Sequence, residues 1–204
     1  MACNEDIGVK ISKHYASMKA IFVETSEMLS ALVGQFEKRG YKQGNSAIRS
    51  GSNSLSLPGQ WLAYFLQVLF SRQDPGIGFN VIGVNVLFDD AYERQIELTF
   101  PVVFCGVLQM LTDPKGVSDA LYQTCRTAKV NLVQSGAFQK ANFPATWDCS
   151  QIMGYFLPLH SLVDRQALSS LIVNPCIDLF EGKIEVAESA IKNLSVAPKD
   201  FLVQ

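Results

Sequence analysis

From residue 11 to residue 36, apolar side chains return in alternating steps of four and three: Ile11, Tyr15, Met18, Phe22, Leu29, Leu32 and Phe36, interrupted only by Thr25. This spacing keeps one face of a 3.6-residue helix turned in a single direction, so residues 5–39 are predicted as one long helix. Asn4 is placed as its N-cap, Glu5 and Asp6 suit its positive end, and Gly40 is a stop. At about 1.5 Å per residue the helix runs to roughly 50 Å, longer than the core of a small domain. Two readings of its apolar face follow: a seam for assembly with a second copy or a protein partner, or an amphipathic helix lying along its own domain with a bend near Gly34.

Further on the period falls to two. Ile82, Val84, Val86 and Phe88 share one parity, as do Ile96, Leu98, Phe100, Val102 and Phe104, while Gln95, Glu97 and Thr99 take the other. The alternation predicts two strands with one wet face. Together they form an antiparallel hairpin near 78–108 with the acidic tip "DDAYER", setting Phe88 opposite Ile96 and Val86 opposite Leu98. A slip of one residue would place Glu97 among the valines, so the pattern selects the register. Pro101 on the wet parity suggests an edge strand or a bulge. The oily run at 98–111 falls short of the about 20 residues a membrane helix needs, and no membrane role is expected.

Residues 41–57, rich in Gly, Ser and Asn, read as a flexible loop. In 58–76 the polar stripe Gln60, Tyr64, Gln67 and Ser71 favours a helix buried on most sides, although the aromatic content also permits a strand. A helix is expected from Ser118, and a buried strand over 151–159 ended by Pro158. Asp164 is positioned to cap a short helix, and Pro175 would close it or begin the next turn. A last helix at 182–194 carries a Glu188/Lys192 pair. The expected fold is α+β: a long N-terminal helix, a small antiparallel sheet, and helices in the C-terminal half. The organisation reads as a helical segment 1–40, a loop 41–57 and a single domain 58–204.

Composition narrows the function. The chain has 204 residues, 48% hydrophobic and only 18% charged, and a folded surface so poor in charge suggests cover by a partner. A net charge of −2 with no run of Lys or Arg gives no electrostatic support to nucleic-acid or anionic-membrane binding. The acidic N-terminus is not followed by an apolar signal core, and five cysteines (3, 105, 125, 149 and 176) are odd in number without a CxxC. Reduced thiols and a cytoplasmic location are the expectation.

Candidate chemistry is sparse. No phosphate-binding glycine loop and no GxSxG elbow is present, and no cofactor is expected. Cys149, His160 and Asp164 supply a nucleophile, a base and an orienting carboxylate in order. Asp89, Asp90 and Glu97, with Glu93, supply oxygens suited to Mg²⁺ or Ca²⁺, or simply a soluble acidic turn. Trp61, Phe65 and Tyr155 are candidate lining of an apolar ligand pocket. The sequence reads first as a non-catalytic interaction protein or regulatory subunit, assembling through the N-terminal helix as a homo-oligomer or with a protein partner. A small-molecule sensor comes second, and a hydrolase using the thiol or carboxylate groups comes last.

Overall fold

The computed structural model describes residues 7–50, 63–72, 79–88, 98–111, 132–144 and 149–201. A helix α1 (Ile7–Glu37) leads into strands β1 (Lys42–Ser50), β2 (Ala63–Ser71), β3 (Phe79–Leu87) and β4 (Val102–Met110). After these come β5 (Val133–Ser135), β6 (Phe138–Asn142) and β7 (Cys149–Pro158). The strands form one seven-stranded sheet in the order β1-β2-β3-β4-β7-β6-β5, and every described pairing is antiparallel. A 3₁₀ turn (Leu159–Ser161) then precedes α2 (Arg165–Leu168), a π turn (Ser169–Val173) and α3 (Asn174–Phe180). The chain continues through α4 (Ile184–Ile191) and α5 (Pro198–Phe201). The α+β class, the long first helix and the C-terminal helices are as the sequence indicates.

Both faces of the sheet's central strands are dry. Leu66, Val68, Ile82, Val84 and Val86 lie on one face with Val103, Cys105 and Leu157, under Leu32 and Phe36 of α1 and the helices after residue 165. Phe65, Leu69, Val81, Leu87, Phe104, Leu108 and Phe156 bury the other, with Phe201 of α5 among them. Gly83, Gly106 and Gly154 stand opposite one another across β3, β4 and β7. A Cβ on Gly154 would lie 2.5 Å from the ring tip of Phe104, and one on Gly106 would lie 2.6 Å from the Met153 carbonyl. The missing side chains give Phe104 its seat, 4.9 Å from the ring of Phe156.

This two-sided burial overturns the expected hairpin register. Val86 pairs with Val103, not Leu98, and Leu87 with Val102. The reasoning needed a wet face, yet the strand proper begins after Pro101 and is buried on both sides, so parity no longer distinguishes its faces. Pro101 marks neither an edge nor a bulge. It directly precedes the central strand of the sheet, where it removes no ladder bond, and its carbonyl accepts from the Leu159 N–H at 2.9 Å.

Two further expectations are corrected. Part of the expected 41–57 loop is β1 at the sheet edge; its polar small residues and register shifts at 43–46 and 49–50 are devices that keep an edge from pairing elsewhere. The expected helix over 58–71 is β2 from Ala63, where Gln67 is buried opposite Asn85 and apolar residues fill both faces. A strand buried on both sides reads as continuous hydrophobicity and mimics a buried helix.

The helix ends follow local chemistry. Gly40 has φ +83°, the Tyr41 N–H reaches the Phe36 carbonyl at 3.1 Å, and the Gly40 N–H reaches that of Glu37 at 3.0 Å. This six-to-one closure is the Schellman stop, completed by the Phe36 and Tyr41 rings at 5.9 Å. Asp164 caps α2, its carboxylate accepting from the Ala167 N–H at 2.7 Å. Pro175 does not close that helix but begins the next one, in the first turn of α3. The Asn174 N–H bonds back to Ser169 through the π turn, and the helix runs on to Phe180.

Candidate interaction surface

The two halves of α1 meet different surroundings. Thr25, Leu32 and Phe36 are buried, and Phe36 stacks on Phe70 of β2 at 4.1 Å. Thr25, the polar interruption of the stripe, turns its hydroxyl back to the Ile21 carbonyl at 2.7 Å and so enters the core satisfied. The Gln35 side chain donates to the Arg165 carbonyl at 3.3 Å, and the Arg39 guanidinium to Asn174 Oδ1 at 3.3 Å. Met18 and Phe22 are half-buried, with Phe22 edge-on to Phe88 at 5.0 Å. Before Met18 every described residue is exposed: Ile7 keeps 74% of its surface, Ile11 63% and Tyr15 67%.

Of the seven predicted seam residues, Leu32 and Phe36 therefore belong to the domain core and Leu29 packs against it. Ile11 and Tyr15 remain open. Ile7, four residues before Ile11, lies one helical turn further toward the N-terminus on the same side, although the alternating steps themselves lead to Gly8.

Beside the open stripe, a groove of about 490 Å³ separates α1 from the sheet. Phe22, Leu29 and Val33 wall it, and Leu66 and Val68 of β2 lie at its base. Sequence reasoning missed this feature, because it exists only where α1 crosses β1 and β2. The charges of α1 are also segregated. Lys10, Lys13 and Lys19 lie in its first half, and Glu24, Glu27 and Glu37 in its second.

The other candidate sites do not assemble. Cys149 begins β7 and His160 lies beyond its end, roughly 30 Å away at a strand's rise. The Cys149 thiol is buried and donates to the Gln151 carbonyl at 3.0 Å. His160 rests against the Phe100 ring at 5.9 Å, and Asp164 is occupied as a cap. Phe65 and Tyr155 are buried on opposite faces of the sheet and so line no common pocket. Trp61 and the acidic residues Asp89, Asp90, Glu93 and Glu97 lie outside the described residues. Among the described residues, no cluster of three or more His, Cys, Asp or Glu is arranged to hold a metal.

Tyr155 has a different part. Pro175 has no N–H to offer the Leu171 carbonyl four residues back, and the Tyr155 hydroxyl donates to that carbonyl at 2.6 Å. The Cys176 sulfur is 3.6 Å from the same hydroxyl. Burial, foremost, and the neighbouring Cys176 and Cys105 thiols hold the phenol protonated far beyond its ordinary range. This is a structural latch between β7 and the π turn. At the opposite end of the sheet, an open polar groove of about 680 Å³ between the β5–β6 hairpin and α4 includes Glu188. That carboxylate accepts from the Ala137 N–H at 2.9 Å.

No family model, curated protein or solved structure matches this chain. Among the described residues, no helix is long and apolar enough to cross a membrane.

Proposed function

We propose that this chain is a non-catalytic interaction protein that assembles through the first half of α1. The observation that carries the reading is the exposure of Ile7, Ile11 and Tyr15 in one stripe, at the helical spacing that buries Leu32 and Phe36 further along. Surface apolar residues scattered singly need no partner, but an aligned stripe bordering an apolar groove has the form of a helix-docking site. The low charge content of the chain agrees with a covered surface. The thiols of Cys105, Cys149 and Cys176, buried and not joined in disulfides, suit a reducing, cytoplasmic setting.

The test is photocrosslinking in the expressing cell. With Tyr15 replaced by p-benzoylphenylalanine, illumination is expected to give a covalent adduct with another polypeptide. The same replacement of the exposed Val186 in α4 serves as control and is expected to give none. Absence of an adduct at position 15 overturns the reading, and the adduct's mass identifies the partner as a second copy or a different chain.

A further inference from the structure

We infer that the partner is a second copy of this chain, paired antiparallel along α1 about a twofold axis near Ala20. The inference rests on the reading that the α1 stripe is an assembly surface, and adds its occupant and orientation.

The first argument is a match of lengths. The open stripe from Ile7 to Met18 and the groove wall from Phe22 to Val33 each span about 17 Å of helix. One helix thus presents an apolar rod and, next along its axis, an apolar trough of the same length. A twofold interface requires this, because the same patch must be complementary to itself. Centred on residue 20, the pairing brings Ile7 level with Val33, Ile11 with Leu29, and Met18 with Phe22 of the other copy. Ile7 and Ile11, both exposed, then meet groove residues that are themselves incompletely covered, while Tyr15 comes level with the buried Thr25.

The second argument is charge, and it is independent of the first. All three lysines of α1 precede residue 20, and all three glutamates follow residue 23. Antiparallel pairing lays the basic half of each helix along the acidic half of its partner. Parallel pairing would set each half beside its own copy, with like charges level throughout. Lys19, beside the axis, is the lysine that stays near its own counterpart.

The purified full-length chain is expected to be a dimer by native mass. Ile11→Glu changes two sites per dimer and raises its dissociation constant by at least about a hundredfold, with an unchanged circular dichroism spectrum. Orientation is read from nitroxide labels on Lys10→Cys and Ser17→Cys, two exposed positions on one side of the helix, in a chain carrying Cys3→Ser and Cys125→Ser. Antiparallel pairing separates the labels by about 30 Å along the axis at position 10 and about 9 Å at position 17. Equal distances at both positions mean a parallel pair and overturn the inference. So does a monomer that persists as concentration is raised. If Tyr15 still crosslinks to another polypeptide in the cell, either result leaves the assembly surface standing and removes only the second copy or its orientation.

Discussion

The first and second halves of α1 carry the same apolar spacing and have opposite fates. Leu32 and Phe36 are fully buried, whereas Ile11 and Tyr15 keep about two thirds of their surface. The second half lies over the sheet and is tied by Gln35 and Arg39 to the helices beyond residue 165. A helical stripe therefore specifies a face, while the extent of the sheet beneath it decides where that face ceases to be core. The stretch left over is the part of the molecule still open to a partner.

The sharpest way to break this contrast is to substitute along it. Phe36→Ala empties a fully buried site against Phe70 and Tyr41 and is expected to cost about 3–5 kcal/mol, read as a fall in the urea midpoint at constant slope. A loss below about 1 kcal/mol would mean that the second half is not core. Tyr155→Phe tests the latch on which that half rests, since α1 packs on the π turn. It leaves the Leu171 carbonyl buried without its donor and should destabilise by about 1–3 kcal/mol. At the boundary, Phe22→Ala removes a half-buried ring paired with Phe88, for an expected loss of about 1–2 kcal/mol. Tyr15→Ala should leave the unfolding free energy of the monomer within about 0.5 kcal/mol of the parent. Amide exchange sharpens the same contrast: under monomeric conditions amides 8–17 should exchange much faster than 26–36, and assembly should slow the first group far more than the second, which the domain already protects.

The smallest effect expected is a pH dependence at the C-terminal end of α3. The hydrogen bond from Lys183 at 2.7 Å, foremost, holds the Glu181 carboxyl below the ordinary carboxylate range against an opposing contribution from burial, and Arg72 at 3.3 Å adds to the lowering. The unfolded chain then binds the proton more readily. The stability from this cluster is present above the ordinary carboxylate value of about 4.3 and is lost as pH falls through the lowered value. Because the cluster is solvent-accessible the loss should be slight and smaller still in high salt. Glu181→Gln should flatten the melting temperature between about pH 5 and pH 3. An unchanged acid limb would mean that this pair contributes nothing.

Legibility in the sequence followed how local each determinant is. Gly40 ends α1 because six residues close on themselves around a positive φ, and Asp164 caps α2 because its acceptor lies three residues from the donor. Both were readable. The strand 151–159 was nearly so, since a short apolar run ended by proline has few alternatives. The β3–β4 register is not legible in the sequence because two dry faces remove the alternation on which register depends. β2 mimics a helix in sequence for the same reason. The proposed Cys149/His160/Asp164 triad failed on geometry, since an extended strand holds its two ends far apart whatever residues they carry. Phe65 and Tyr155 were grouped by character, but the parity of their strands sends them to opposite faces.

The sequence by itself determined the α+β class, the long first helix with its apolar face, the stop of that helix at Gly40 and the start of α2 at Asp164. These depend on contacts within a few residues, where spacing and backbone chemistry suffice. Tertiary structure alone decided which half of that face became core, which residues wall the groove beside it, and which buried carbonyl Tyr155 answers. Each of those depends on where distant segments come to lie on the sheet, and a stripe of apolar residues is the same stripe whether the surface across from it belongs to its own domain or to a partner.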